Sequence, residues 1–476
     1  MEIPRGYVKI PANSVGIAFR QLIKNELTIV ADSTSSFTSE DVVHHLYSDN
    51  PPYIGVPRGF YLQRLKHRGV PGEFTYSLGG AFNQHAREFT LRPGQPEIIE
   101  KALSVLKKHD YGGVVIEAGV ASGKTLITLE IARQLGLKTI IIVPTSVLMD
   151  QWIKEIKRFF PMWKVGKVFG DTFEVKGYDV CVAMLQSMAM KDDYPAWFYE
   201  EFGTIISDET HLLGAPEFAK GIPRFGARYM IGASGTVRRK DKCEKVFIYT
   251  IGEVIPFMHA VKTMQPEVFF IDTGFSWSGW GALDRQKSQG LKQIIADPGR
   301  NAMIVRQAVR ASKVNRNVLI LTERKVHAKE LYGALNQQFL GSPYSAGLML
   351  GETKQDVRDV SQKANVIIAT VQLIGTGFNE PRLDTLIFAT PVQNIDQCVG
   401  RIRREHPGKK TPFVLDPVDT RSEAGMIFAK SRFKKYLAQG WKLHGIECFP
   451  KEFLWKYKKE LSYLLPNPNV RTRSGT

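Results

Sequence analysis

Residues 114–125 read VVIEAGVASGKT: a β-branched apolar run, a stretch of small residues, then Gly123-Lys124-Thr125. Strand, small-residue loop and helix start follow one another here. That order lets backbone N–H groups and a helix N-terminus surround an anionic phosphate. Lys124 can reach the β and γ oxygens of ATP, and the Thr125 hydroxyl suits Mg²⁺. The full loop is Ala118, Gly119, Val120, Ala121, Ser122, Gly123, Lys124 and Thr125. Ala118 replaces the usual first glycine of the phosphate-loop pattern, and Ala121 occupies another position where glycine is common.

Outward from this loop, short apolar runs alternate with helical patterns. Residues 139–143, 180–183, 204–207 and 229–232 join 114–117 as buried-strand candidates, with helices over 124–135 and 147–159. Such alternation predicts a parallel sheet covered on both faces. After a linker over 255–270 a second series follows, with strands at 318–321, 366–369, 385–388 and 413–415 and a helix over 325–337. The chain is therefore expected to be α/β, in three parts: a small mixed module (1–88), one parallel-sheet unit (89–260) and a second (261–476). In the first part, Thr38-x-x-Asp41 before Val42, Val43, Leu46 and Tyr47 predicts a capped helix.

The 476 residues carry 64 Lys and Arg against 47 Asp and Glu, a net +17 that predicts an acidic partner such as nucleic acid. Residues 401–476 hold 17 basic and 7 acidic side chains, whereas residues 1–90 are nearly balanced. Segment 51–72 sets Arg58, Arg64, Lys66 and Arg68 beside Tyr53, Phe60 and Tyr61. That mixture suits either a strand-binding surface or a solvated turn with core aromatics. The four cysteines form no CxxC pair, which fits a reducing, cytoplasmic setting and speaks against a zinc ribbon. The apolar runs fall short of a membrane span, and the N-terminus lacks a signal-peptide layout.

Two further motifs complete a nucleotide site. Residues 204–211, TIISDETH, end an apolar strand on Asp208-Glu209. Two carboxylates then reach the sheet's carboxyl edge, Asp208 to hold Mg²⁺ and Glu209 to polarise the attacking water. Residues 397–404, QCVGRIRR, place Arg401 and Arg404 about one helical turn apart, suited to the charge that grows on a γ-phosphate. These arginines belong to the second α/β unit, so catalysis would need both units to close on one ATP.

With these motifs in order, the chain resembles the superfamily 2 helicases of the Asp-Glu-x-His subgroup over residues 89–415. The resemblance implies two tandem RecA-like motor domains. It makes Leu91-Arg92-Pro93-Gly94-Gln95 the adenine-reading element, with Arg92 stacking and Gln95 hydrogen-bonding the base. It assigns coupling to His211, Ser234 and Thr236, Gly235 standing where the family has alanine. Pro144, Thr145, Gln186, Ser187 and Thr370 become nucleic-acid contacts, and Gly377, Asn379 and Gln397 ATP contacts. Within the family the chain is most similar to bacteriophage branch-migration helicases of the UvsW type. That implies ATP and Mg²⁺ as cofactors and branched or forked DNA as partner for a monomeric enzyme. An RNA helicase and an ATP-switched annealing factor are the alternatives; no second catalytic set suggests a nuclease.

Two aromatic stretches remain. Phe275, Trp277 and Trp280 are expected to pack between domains rather than to split a duplex. Residues 441–465 are expected to form a packing helix through Phe453, Tyr457, Leu461 and Leu464, with lysines outward.

Overall fold

The computed structural model describes residues 2–31, 43–82, 89–119, 122–191, 194–215, 218–239, 241–257, 263–281, 283–351, 353, 355–375, 380–392 and 395–464. Thr38, Asp41 and Val42 of the expected capped helix, Val120 and Ala121 of the loop, Gly377, Asn379 and the tail 466–476 lie outside them. Two compact units divide the chain, Met1–Val261 and Lys262–Thr476.

The first unit begins with β1 (Tyr7–Pro11), β2 (Thr28–Val30), β3 (Val43–His45), β4 (Ser48–Asn50) and β5 (Tyr53–Pro57). β5 pairs antiparallel with β1 and β4, and β2 with β3. The expected helix through Val43 is thus a strand. Val43 and His45 are exposed while His44 and Leu46 are buried, a period of two that overrides the capping pattern. In segment 51–72 the aromatic groups Phe60 and Tyr61 are core, packed with Ile54, Leu65, Tyr111 and Tyr249. Arg58 is fully buried, its guanidinium 4.5 Å from the Phe74 ring centroid and donating to the Arg228 carbonyl at 3.3 Å. Burial pushes its pKa down to about 9. These three side chains face inward and offer nothing to a nucleic-acid strand.

An eight-stranded sheet follows: β6 (Gly112–Glu117), β7 (Thr139–Val143), β8 (Val165–Phe169), β9 (Thr172–Phe173), β10 (Val180–Met184), β11 (Thr204–Asp208), β12 (Tyr229–Ser234) and β13 (Glu253–Pro256). Its order is β13-β6-β12-β11-β7-β10-β8-β9, and every pair is parallel except β8–β9. The strands are apolar throughout because alternate residues enter different cores. Val114, Ile116, Ile141, Val182, Ile206 and Ile231 point to one face. Val115, Ile140, Ile142, Cys181, Ile205 and Met230 point to the other.

The second unit holds β14 (Glu267–Asp272), β15 (Val318–Thr322), β16 (Ala346–Met349), β17 (Val366–Thr370), β18 (Thr385–Phe388), β19 (Phe413–Val418) and β20 (Lys442–His444). They form one parallel sheet in the order β16-β17-β15-β18-β19-β14-β20. The expected linker 255–270 is therefore partly structural: β13 closes one sheet, and β14 lies inside the other. A buried clamp joins β19 to the helix Glu423–Ala438, where Asp416 accepts two bonds from Arg432 (2.8 and 2.7 Å) and one from Tyr436 (3.0 Å). In place of the single expected C-terminal helix stand β20 and two short helices, Lys451–Trp455 and Lys458–Leu464. Phe453 and Tyr457 still pack, at 5.2 and 5.8 Å from the Phe433 ring. All four cysteines are free thiols. Among the described residues no helix is long and apolar enough to cross a membrane.

Candidate nucleotide-binding site

Gly123 precedes the helix Lys124–Leu135 with φ 81°, a conformation that favours glycine. A Cβ there would also lie 2.5 Å from Gln95 Nε2. Gln95 is buried; its Nε2 donates to the Ser122 carbonyl at 3.0 Å and its Oε1 accepts from the Arg92 N–H at 2.9 Å. The expected adenine reader is thus tied to the phosphate loop, beside an exposed Arg92. Within the loop Ser122 Oγ donates to the Gly119 carbonyl at 2.8 Å. The Ala118 N–H donates to the Ser234 carbonyl at 2.9 Å.

Strand register explains why three separate motifs meet. Glu117 lies opposite Ser234, and Ala233 opposite Asp208. The loop, the Asp-Glu pair and Ser234-Gly235-Thr236 therefore leave the carboxyl ends of adjacent strands β6, β11 and β12, the edge where open α/β sheets bind ligands. A Cβ on Gly235 would stand 3.5 Å from Lys124 Nζ, ordinary contact, so an alanine would fit and the glycine leaves the lysine's position intact.

Asp208 is 8% exposed. It accepts from Trp152 Nε1 at 2.8 Å and from the Glu209 N–H at 2.9 Å. Burial, then the charge of Glu209, push its carboxyl up to about 6 against the pull of Lys124. Glu209 has φ 46° and ψ 47°, a left-handed backbone that costs a non-glycine residue about 1–3 kcal/mol. Its buried Oε2 makes no hydrogen bond and stands 3.3 Å from His211 Nδ1.

His211 Nδ1 also lies 3.1 Å from Ser234 Oγ, which itself donates to the Thr236 carbonyl at 2.7 Å. The serine proton is thus engaged, so Nδ1 is assigned as the protonated nitrogen of the imidazole. Burial, then Arg239 and Lys124, push the His211 pKa down to about 4, so the ring is neutral at pH 7 and its approach to Glu209 is no ion pair. His211, Ser234 and Thr236 form one chain of contacts running from Glu209.

Several supporting residues escaped the sequence reading because their partners are distant in the chain. Trp152, 1% exposed, reaches Asp208 from the helix Ser146–Phe159. Arg239 donates to the His211 carbonyl and pairs with Asp241 through Nε at 2.8 Å and Nη2 at 2.5 Å. Gly214 makes room for it, since a Cβ there would fall 2.6 Å from Arg239 Nε. Glu117 Oε1 accepts from the Val237 N–H at 3.0 Å. Replacing Trp152 with phenylalanine keeps the ring but strands a buried carboxylate oxygen. Urea unfolding should show about 1–3 kcal/mol lost, and an unchanged midpoint would contradict the contact's role.

The donor set suits Mg²⁺. Asp208 feels the charge of Lys124, the neighbouring Glu209 has a buried carboxylate oxygen that lacks a bond, and Thr125 sits in the first turn of its helix. Among the described residues no cluster of three His, Cys, Asp or Glu forms a complete cage. A metal held by one or two carboxylates and substrate phosphates needs none.

Of the expected strand contacts, Pro144 and Thr145 follow β7, while Gln186 and Ser187 follow its neighbour β10, with Val143 opposite Met184. Thr145 Oγ1 caps its helix by accepting from the Leu148 N–H at 3.3 Å, and Gln186 is exposed. In the second unit Thr370 ends β17. Gln397 and Arg401 lie on the helix Ile395–Ile402. Arg404 does not share a helical face with Arg401, because that helix ends two residues earlier. The intervening Arg403 turns to Thr263 Oγ1 at 2.8 Å and the Met264 carbonyl at 3.2 Å.

Comparison with known proteins agrees with this geometry. Residues 88–239 match the family described as type III restriction enzyme, res subunit. A protein of Acanthamoeba polyphaga mimivirus named as an ATP-dependent RNA helicase (L396) is 26% identical over 462 residues, covering 93% of this chain and 87% of that one. A protein of Escherichia phage T5 named as a helicase (D10) is 26% identical, covering 69% and 72%. Among solved structures, the Mycobacterium smegmatis helicase Lhr bound to single-stranded DNA and AMP-PNP is similar in fold, with TM-score 0.53 and 17% identity over 79% of this chain and 52% of that one. With the phosphate loop, the Asp208-Glu209 pair and the His211–Ser234 link converging on one sheet edge, the chain is similar to these helicases, and its two parallel α/β sheets share the fold of tandem RecA-like domains.

Proposed function

We propose that the protein is an ATP-dependent DNA helicase or translocase that unwinds or branch-migrates forks, D-loops and junctions, acting as a monomer. The observation that supports this most is the meeting of Lys124, Asp208, Glu209, His211 and Ser234 at the carboxyl edge of β6, β12 and β11. In this reading Arg92 stacks on adenine and Gln95 reads its edge. Lys124 and the loop N–H groups hold the phosphates, and Thr125 and Asp208 hold Mg²⁺, which when bound neutralises phosphate charge. Glu209 takes a proton from the attacking water through its unengaged Oε2. Any change at Glu209 passes to Ser234 and Thr236 through neutral His211. Pro144, Thr145, Gln186, Ser187 and Thr370 contact the strand, and residues 1–88, packed within the first compact unit, act as a small DNA-binding module.

Arg401 and Arg404 supply positive charge as the γ-phosphate departs. Arg404→Ala should lower turnover about a thousandfold, as loss of such an arginine does, with the ATP KM little changed. A rise in KM at normal turnover would remove Arg404 from the transition state.

The mimivirus relative's name favours a second reading, an RNA helicase. One panel separates the readings: forked, D-loop, four-way and single-stranded DNA, with matched RNA, scored for ATPase stimulation and strand separation together. Branched DNA should give the largest response in both. Stimulation by RNA alone would select the RNA reading, and ATPase stimulation without strand separation would select the annealing factor.

A further inference from the structure

The segment after β14 hides one tryptophan and presents another. Trp277 is 3% exposed, donates from Nε1 to Asp419 Oδ2 at 3.0 Å, and packs with Ile294, Ala424 and Phe428. Gly290 admits it, since a Cβ there would lie 2.2 Å from the indole. Trp277 thus packs inside the second unit, not between domains as the sequence suggested. Three residues later Trp280 is 63% exposed, with the Arg285 guanidinium carbon 3.6 Å from its ring centroid.

The loop is fastened along its length. Ser276 Oγ donates to the Arg421 carbonyl at 3.0 Å. The Ser278 N–H donates to Gln293 Oε1 at 3.3 Å, and Gln293 Nε2 returns a bond to the Ser278 carbonyl at 2.6 Å. The Trp280 N–H donates to Gln289 Oε1 at 2.9 Å, and Gln286 Nε2 to the Gly281 carbonyl at 2.8 Å. At Gly279 a Cβ would fall 2.7 Å from Gln286 Cα, so only glycine allows the loop this close to the helix Leu283–Ala296. Removing a large apolar side chain from water is favourable. This backbone forgoes that gain at Trp280 while taking it at Trp277.

We propose that Trp280, backed by Arg285, is a stacking site for an unpaired nucleobase. The inference rests on the nucleic-acid motor reading above and adds a contact outside its motifs. One indole face receives the base, while the guanidinium on the ring completes a cation–π stack and offers charge to the phosphate. The loop leaves the carboxyl end of β14, and Thr370 lies at the carboxyl end of β17 in the same parallel sheet. Four strand spacings separate them, about 19 Å at roughly 4.8 Å each. The base on Trp280 is therefore a different nucleotide from the one at Thr370.

The test uses the full chain and a single-stranded DNA of about 20 nucleotides, longer than the roughly 4–16 that strand-binding folds cover. Trp280→Ala should raise Kd about tenfold, equivalent to about 1.4 kcal/mol, with ATPase in the absence of DNA unchanged. Trp280→Phe should restore most of the affinity. The fluorescence component that Trp280→Ala removes should be quenched by acrylamide in the free protein and protected by the oligonucleotide, a signature that a purely structural residue would not give. If the wild type binds the strand and Trp280→Ala binds equally well, with no protected component, the stacking site is wrong while the motor reading stands. If the wild type binds no nucleic acid, the motor reading itself fails.

Discussion

Replacing Lys124 with alanine should abolish ATP hydrolysis, with turnover falling at least about a hundredfold, as when a preorganised charge at the reacting group is removed. Lys124 opposes the rise of the Asp208 pKa and helps hold His211 neutral. Its loss therefore removes the phosphate contact and raises Asp208 further. With the carboxyl protonated over more of the neutral range, the proposed Mg²⁺ ligand is lost as well. Nucleic-acid binding should stay within about threefold, because the strand-contact positions after β7 and β10 lie on other strand ends. Steady-state ATPase and oligonucleotide titration on one preparation would check both halves. Normal hydrolysis by Lys124→Ala would end the phosphate-loop assignment.

Glu209→Gln tests a different step. The amide keeps the shape of the side chain and its left-handed backbone but cannot accept the water's proton. General-base removal slows reactions by about 10²–10⁴. The variant should bind ATP normally and stall with nucleotide bound, visible as nucleotide retention in single-turnover experiments. Because Oε2 lies 3.3 Å from a neutral His211, no ion pair is broken, and thermal stability should change little. Normal turnover would transfer the role of base to another group.

Much of the architecture was legible locally. Strands β6, β7, β10, β11, β12, β15, β17, β18 and β19 were read within a few residues, since each is a short apolar run bounded by polar turns. Reading failed where a local signal was outvoted by pairing. The Thr-x-x-Asp pattern before Val43 suggested a helix, but β2 offered an antiparallel partner and a buried slot for His44. The charge on Arg58 left a strand-binding surface and a turn with core aromatics both open, because composition records charge without direction; the structure sets it against the Phe74 ring. Arg404 seemed to continue a helical face because spacing cannot show where a helix ends.

The candidate catalytic residues could be singled out because phosphate chemistry demands particular side chains at short spacing: Gly-Lys-Thr at a helix start, Asp-Glu at a strand end. Their surroundings were not. The Trp152–Asp208 bond spans 56 residues, Gln95–Ser122 spans 27, and the His211–Ser234 link spans 23. Each depends on which strands the sheet sets side by side. That order, β6-β12-β11-β7, differs from the order along the chain and follows from burying apolar faces on both sides at once. Chemistry and periodicity are local properties that one sequence displays. The neutrality of His211, the raised pKa of Asp208 and the outward Trp280 arise from burial and long-range contact, which exist only once the chain has folded.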